Sequence, residues 1–111
     1  MAIRDEFGYT KVTMDIGDWD MDATTQINPL HGLSVTEYKT IRNISCIIRP
    51  DNDAARIPLT TFTSPNVMGA IGNVSTTTIA LTRTFGGAFD STTYDQTSFN
   101  RGELTFEYIA D

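Results

Sequence analysis

His31 and Cys46 are the only histidine and the only cysteine of the chain. A hydrolytic site would need His31 beside a nucleophile and an orienting carboxylate. Cys46 lies in the apolar run Ile44-Ser45-Cys46-Ile47-Ile48 and reads there as a small buried hydrophobe. A lone cysteine excludes an intramolecular disulfide and a cysteine metal cluster within one chain. His31 falls in Asn28-Pro29-Leu30-His31-Gly32, a loop by its proline and glycine, where its default role is to hydrogen-bond a turn or line a subunit contact. The chain has no nucleophile-elbow pattern, no histidine pair at metal-binding spacing and no glycine-rich phosphate loop. The expectation is a non-enzyme with no catalytic residue, no metal and no cofactor.

Acidic residues come next. Asp18, Asp20 and Asp22 alternate as in calcium loops, but the glycine and terminal glutamate of an EF-hand loop are missing, so they read as a solvated acidic face. Asp51-Asn52-Asp53 reads as a turn. The segment 85–102 is a long loop rich in Gly, Asp, Ser and Thr, with Phe89, Tyr94 and Phe99 at five-residue spacing as its own apolar anchors. Acceptors and flat rings on an ordered loop are what sugar binding needs, which makes Asp90, Tyr94, Asp95, Asn100 and Arg101 the candidate ligand-binding residues. The competing role for the acids is Asx-turn bonding to the local backbone. Arg83 and Arg101 bracket the loop, and a guanidinium reaching Asp90 or Asp95 would tie its base.

These residues need a scaffold, and the composition limits it. The 111 residues fit one domain, 1–111, with residues 1–8 as an extended N-terminal arm. Apolar residues make up 40%, with six Phe, four Tyr and one Trp, enough to fill the space between two sheets. The net charge of −6 with no Lys/Arg run argues against nucleic acid and against anionic lipid. No apolar stretch is long enough to span a bilayer as a helix, and the first six residues lack the apolar middle of a signal peptide, so assembly in a cytosol is expected. The Asn-X-Ser/Thr triplets at Asn43 and Asn73 read as accidental.

Thr, Val, Ile and aromatics dominate, and turn signals recur every eight to twelve residues, the pattern of an all-β antiparallel sandwich of about six to seven strands with little helix. Alternation places strands at 9–16, with Val12, Met14 and Ile16 on one face; at 41–49, with Ile44, Cys46 and Ile48 on one face; and at 103–109, with Leu104, Phe106 and Tyr108 on one face. Further strands are expected at 56–62, at an edge because of Pro58, and at 76–84, while 64–72 is loop-like. Trp19 or Met21 should turn inward. Ser34 and Glu37 form a capping box around a helical turn at 34–38. Ile41, Ile47 and Ile109, apolar on otherwise polar faces, are the candidate subunit interface.

Ile16-Gly17-Asp18-Trp19-Asp20-Met21, His31-Gly32-Leu33, Ile48-Arg49-Pro50-Asp51-Asn52-Asp53, Gly86-Gly87-Ala88-Phe89-Asp90-Ser91, Asn100-Arg101-Gly102 and Phe106-Glu107-Tyr108 carry a resemblance. With these pieces the chain resembles small β-sandwich virion surface and tail-associated proteins of phages and prophages of Bacteroidetes-type hosts. The architecture is also similar to the H-type lectin fold, a six-stranded sandwich that assembles as trimers or hexamers and binds sugars at subunit borders. The resemblance implies a virion component, decorating a capsid or forming a spike, fibre head or tail tip. It further implies a homo-oligomer, with a trimer favoured, other virion proteins as partners, and host or mucosal glycans as ligands. The alternatives are a purely architectural cement protein and a free bacterial lectin-like domain.

Overall fold

The computed structural model describes residues 8–60, 62–63 and 66–111. The expected N-terminal arm lies, apart from Gly8, outside the described residues. Seven strands form two antiparallel sheets. One sheet has four strands in the order β1 (Thr10–Asp15), β9 (Gly102–Tyr108), β3 (Arg42–Ile48) and β4 (Ile57–Pro58). The other has three, β2 (Gln26–Ile27), β8 (Ile79–Arg83) and β7 (Gly69–Val74). A two-stranded ribbon, β5 (Phe62–Thr63) with β6 (Asn66–Val67), stands apart from both sheets. The architecture is thus the expected all-β sandwich, with helix among the described residues limited to short 3-10 turns.

Period-two alternation explains the core. Cys46, Ile48, Leu104 and Phe106 fill the inner face of the larger sheet, and Ile79 and Leu81 that of the smaller. Val12 and Met14 pack against them from β1. Loops supply the rest: Trp19, Met21, Phe89 and Tyr94 are all buried. Both Trp19 and Met21 therefore turn inward. The capping box forms as expected, with the Glu37 N–H donating to Ser34 Oγ (3.1 Å) and the Ser34 N–H to Glu37 Oε1 (3.0 Å).

Several expectations need correction. The strand expected over 56–62 shrinks to Ile57–Pro58, because the chain turns at Leu59 and Thr60. Pro58 does lie on an edge strand. Residues 64–72 are not simply a loop, since they contain β6 and most of β7. Gly69 and Gly72 resemble turn punctuation in the sequence, but Gly69 marks close packing: a Cβ there would lie 2.6 Å from Leu59 Cδ1 and 2.7 Å from the Thr82 carbonyl oxygen. The strand expected from residue 76 begins at Ile79, after a turn in which Ser75 Oγ accepts from the Thr77 and Thr78 N–H groups (3.3 and 3.0 Å).

Ile41 also faces the other way from the expectation. Register slips between Arg42 and Ser45, with Asn43 in the left-handed region at φ 54°. This bulge adds a residue and shifts the side-chain alternation by one. Ile41 and Ile44 consequently both pack against the core. Ile47 keeps its place on the outer face opposite Glu103. Ile109 follows β9 half-exposed, its N–H bonded to Thr40 Oγ1 (2.8 Å).

Gly102 is where β9 passes close to β3, since a Cβ at this position would collide with the Ile47 carbonyl oxygen. Gly102→Ala is expected to cost about 2 kcal/mol or more by forcing the two strands apart. Chemical denaturation beside Gly8→Ala, whose added carbon meets nothing within 4 Å, measures the difference.

Candidate binding surface

The long loop is held by two buried arginines. Arg101, with no exposed surface, donates from Nε to the Trp19 carbonyl (3.0 Å) and from Nη1 to the Arg49 carbonyl (2.9 Å). Its Nη2 donates to Asp51 Oδ1 (2.8 Å) and to the Gln96 carbonyl (3.2 Å). The rings of Phe99 and Tyr94 lie 4.9 and 5.8 Å from its Cζ. Three segments thus meet on one guanidinium: the stretch after β1, the turn after β3 and the long loop. A buried charge persists only when paired and fully hydrogen-bonded, and here carbonyls and one carboxylate meet that condition.

Asp51 extends the clamp, its carboxylate also accepting from the N–H groups of Asp95 (3.3 Å) and Gln96 (3.2 Å). Desolvation alone would raise the Asp51 carboxyl. The Arg101 hydrogen bond and charge and the Gln96 N–H outweigh it and hold the group below the ordinary carboxylate value. Asp95 goes the other way, raised by desolvation and by the hydrogen bond and like charge of Asp51.

Arg83 fixes the other end of the loop. Its Nε donates to the Met21 carbonyl (2.6 Å), and its Nη1 lies 3.4 Å from Asp90 Oδ2, an ion pair without a hydrogen bond of good geometry. Asp90 Oδ2 also accepts the Gly86 N–H (2.8 Å) where the chain turns through positive φ. The expected tie of a bracketing guanidinium to Asp90 or Asp95 forms between Arg83 and Asp90, while Arg101 reaches Asp51.

The other candidates for chemistry are committed to the fold. His31 is buried, with Nε2 2.9 Å from the Ser75 carbonyl oxygen and Nδ1 accepting the Leu33 N–H (3.0 Å). Burial pushes the Cys46 thiol up to about 12. Asp18 caps the Phe99 N–H (2.6 Å), and Asp20 accepts from Asp22 and Ala23 (both 3.1 Å) in an Asx turn. Of the five candidate ligand-binding residues, Tyr94 and Arg101 are buried, and Asp90 and Asp95 brace the loop. Asn100 lines an open cleft, with its Oδ1 accepting the Gly17 N–H (2.9 Å).

That cleft, of about 150 Å³, is lined by Ile47, Arg49, Arg56, Asn100, Gly102 and Glu103. Arg49 donates from Nε to the Asn100 carbonyl (2.6 Å) and packs over the Phe99 ring at 4.2 Å. Arg49 and Arg56 both pair with Asp53, at 3.1 and 2.8 Å. Desolvation pushes the Asp53 carboxyl up, but the two arginines outweigh it and hold it below its ordinary value. Glu103 has no ion pair among the described residues. The result is a mixed-charge surface in which Ile47 is the one apolar side chain, able to give donors and an acceptor to neighbouring hydroxyls. Sequence reasoning passed over Arg49, Arg56 and Glu103, whose only local signal was the Arg49/Asp53 spacing across a turn.

Comparison with family models, with curated proteins and with solved structures finds no match to this chain.

Three outcomes follow from this geometry. Arg101→Ala is expected to cost about 3 kcal/mol or more, because it removes the charge partner of Asp51 and the donor to the Trp19, Arg49 and Gln96 carbonyls. Because the folded Asp51 value is depressed, its contribution to stability is complete above about pH 3.8 and is lost as pH falls through the folded value. Asp51→Asn should therefore lower stability at neutral pH, with the gap from the parent closing in acid, as a series of denaturation curves would show. The raised thiol of Cys46 predicts labelling by a disulfide reagent at pH 8 only at the rate of unfolding, and fast labelling of the folded protein would contradict its burial.

Proposed function

We propose that this protein is a non-catalytic structural component of a phage particle, displayed on its surface as a homo-oligomer, with the Arg49–Arg56–Asn100–Glu103 cleft as the place where glycan hydroxyls bind. One observation carries the binding part of this reading. The fold places its buried arginines where they stiffen the loops, and beside Ile47 a cleft presents two arginines already held by Asp53 next to the carboxylate of Glu103, unpaired among the described residues. A preformed surface of this kind costs little ordering on contact. The virion part is supported by the sequence resemblance, and the self-association part by the same resemblance.

A cleft this shallow gives weak single-site affinity, and many copies on one particle turn it into useful avidity. The competing reading is an architectural cement protein that recognises no sugar.

The test is mass spectrometry of gradient-banded particles for stoichiometric copies of this polypeptide. It is combined with glycan-array binding of particles carrying the parent chain or the Arg56→Ala variant. Stoichiometric presence with glycan binding that falls in the variant is the expected result. Presence with unchanged binding leaves the cement role, and absence from the particle overturns the virion reading.

A further inference from the structure

Strand β1 is the outermost strand of the larger sheet, paired with β9 on one side and with no strand among the described residues on the other. The Ile16 N–H donates to the Gly102 carbonyl (3.1 Å), which fixes the direction of the backbone groups. Alternate residues of a strand turn their N–H and C=O to the same side. Val12 and Met14 therefore bond toward β9, and the backbone groups of Lys11, Thr13 and Asp15 point away from the sheet, three donors and three acceptors in a row.

An open edge of this kind is a template for another strand, and a lysine on it ordinarily discourages addition. Here the sequence changes that sense. A second β1 laid antiparallel about Thr13 brings Lys11 opposite Asp15 of the other copy, Val12 opposite Met14, and Thr13 opposite itself. Every facing pair lies on the same side of the sheet: charged and hydroxyl residues outside, apolar residues inside. The six backbone groups of each edge meet their complements in the same register.

The side chains of the isolated chain are left wanting by comparison. Asp15 lies directly opposite Glu103 of β9, a like-charge pair that disfavours the sheet. Lys11 and Asp15 are exposed and take part in no ion pair among the described residues. A second copy would place an ammonium beside each Asp15–Glu103 pair. Thr13 Oγ1 already bonds Thr105 Oγ1 at 3.1 Å, and the twofold would continue that hydroxyl row across the junction.

We propose that two copies of this chain associate through β1 about a twofold axis at Thr13, joining their four-stranded sheets into one of eight strands. This contact rests on the strand geometry and not on the virion reading, and it differs from the threefold arrangement that the resemblance implied. Sedimentation equilibrium of the full chain tests it. The parent should be a dimer; Lys11→Asp and Asp15→Lys, each placing like charges at both ends of the junction, should weaken it about tenfold or more; and the double swap should restore it. Amide exchange gives a second reading, with the Thr13 N–H protected in the dimer and exposed on dilution. A monomeric parent, a trimer indifferent to the swaps, or a double variant no better than the singles would overturn the proposal.

Discussion

The buried guanidinium of Arg101 is the constraint on which the functional end of this sandwich depends. It joins the segment after β1 through Trp19, the turn after β3 through Arg49 and Asp51, and the long loop through Gln96, while its own N–H donates to the Gly17 carbonyl (2.9 Å). Apolar packing alone places the two sheets face to face. It does not determine the path of an irregular segment, because irregular backbone leaves polar groups that need partners. One side chain with five donors in a fixed plane meets that need for several segments at once.

The cleft follows from this arrangement. Arg49 can face Asn100 because the Arg49 N–H donates to the Arg101 carbonyl (2.8 Å) and the Arg49 carbonyl accepts from the Arg101 side chain. Its neighbour Glu103 is presented outward by β9, while Gly102 lets β9 approach β3 closely. Buried arginines inside and paired arginines at the rim thus do different work: Arg83 and Arg101 fix loops, and Arg49 and Arg56 meet solvent.

Strands with plain alternation were legible in the sequence. Val12 and Met14 in β1 and Leu104 and Phe106 in β9 declare their face, and the Ser34/Glu37 box declares its turn. Strand β7 was hidden because Gly69 and Gly72, there for close approach to Leu59 and Ala80, look like loop residues. The facing of Ile41 was hidden because nothing in the sequence marks the bulge at Asn43. The Arg83–Asp90 tie was legible because both partners border one loop. The Arg101–Asp51 tie was not, because its partners lie fifty residues apart and only β3 and β9 bring them together. For the same reason the cleft, assembled from β3, β9 and the turn between β3 and β4, left no local signal.

The arginine clamps imply that residues 85–101, though they carry no strand, are held as firmly as the sheets. Backbone ¹⁵N relaxation measures this directly. Order parameters for Tyr94, Gln96 and Phe99 should lie close to those of β9, about 0.85, and values below about 0.6 in this loop would mean that the clamps do not hold it.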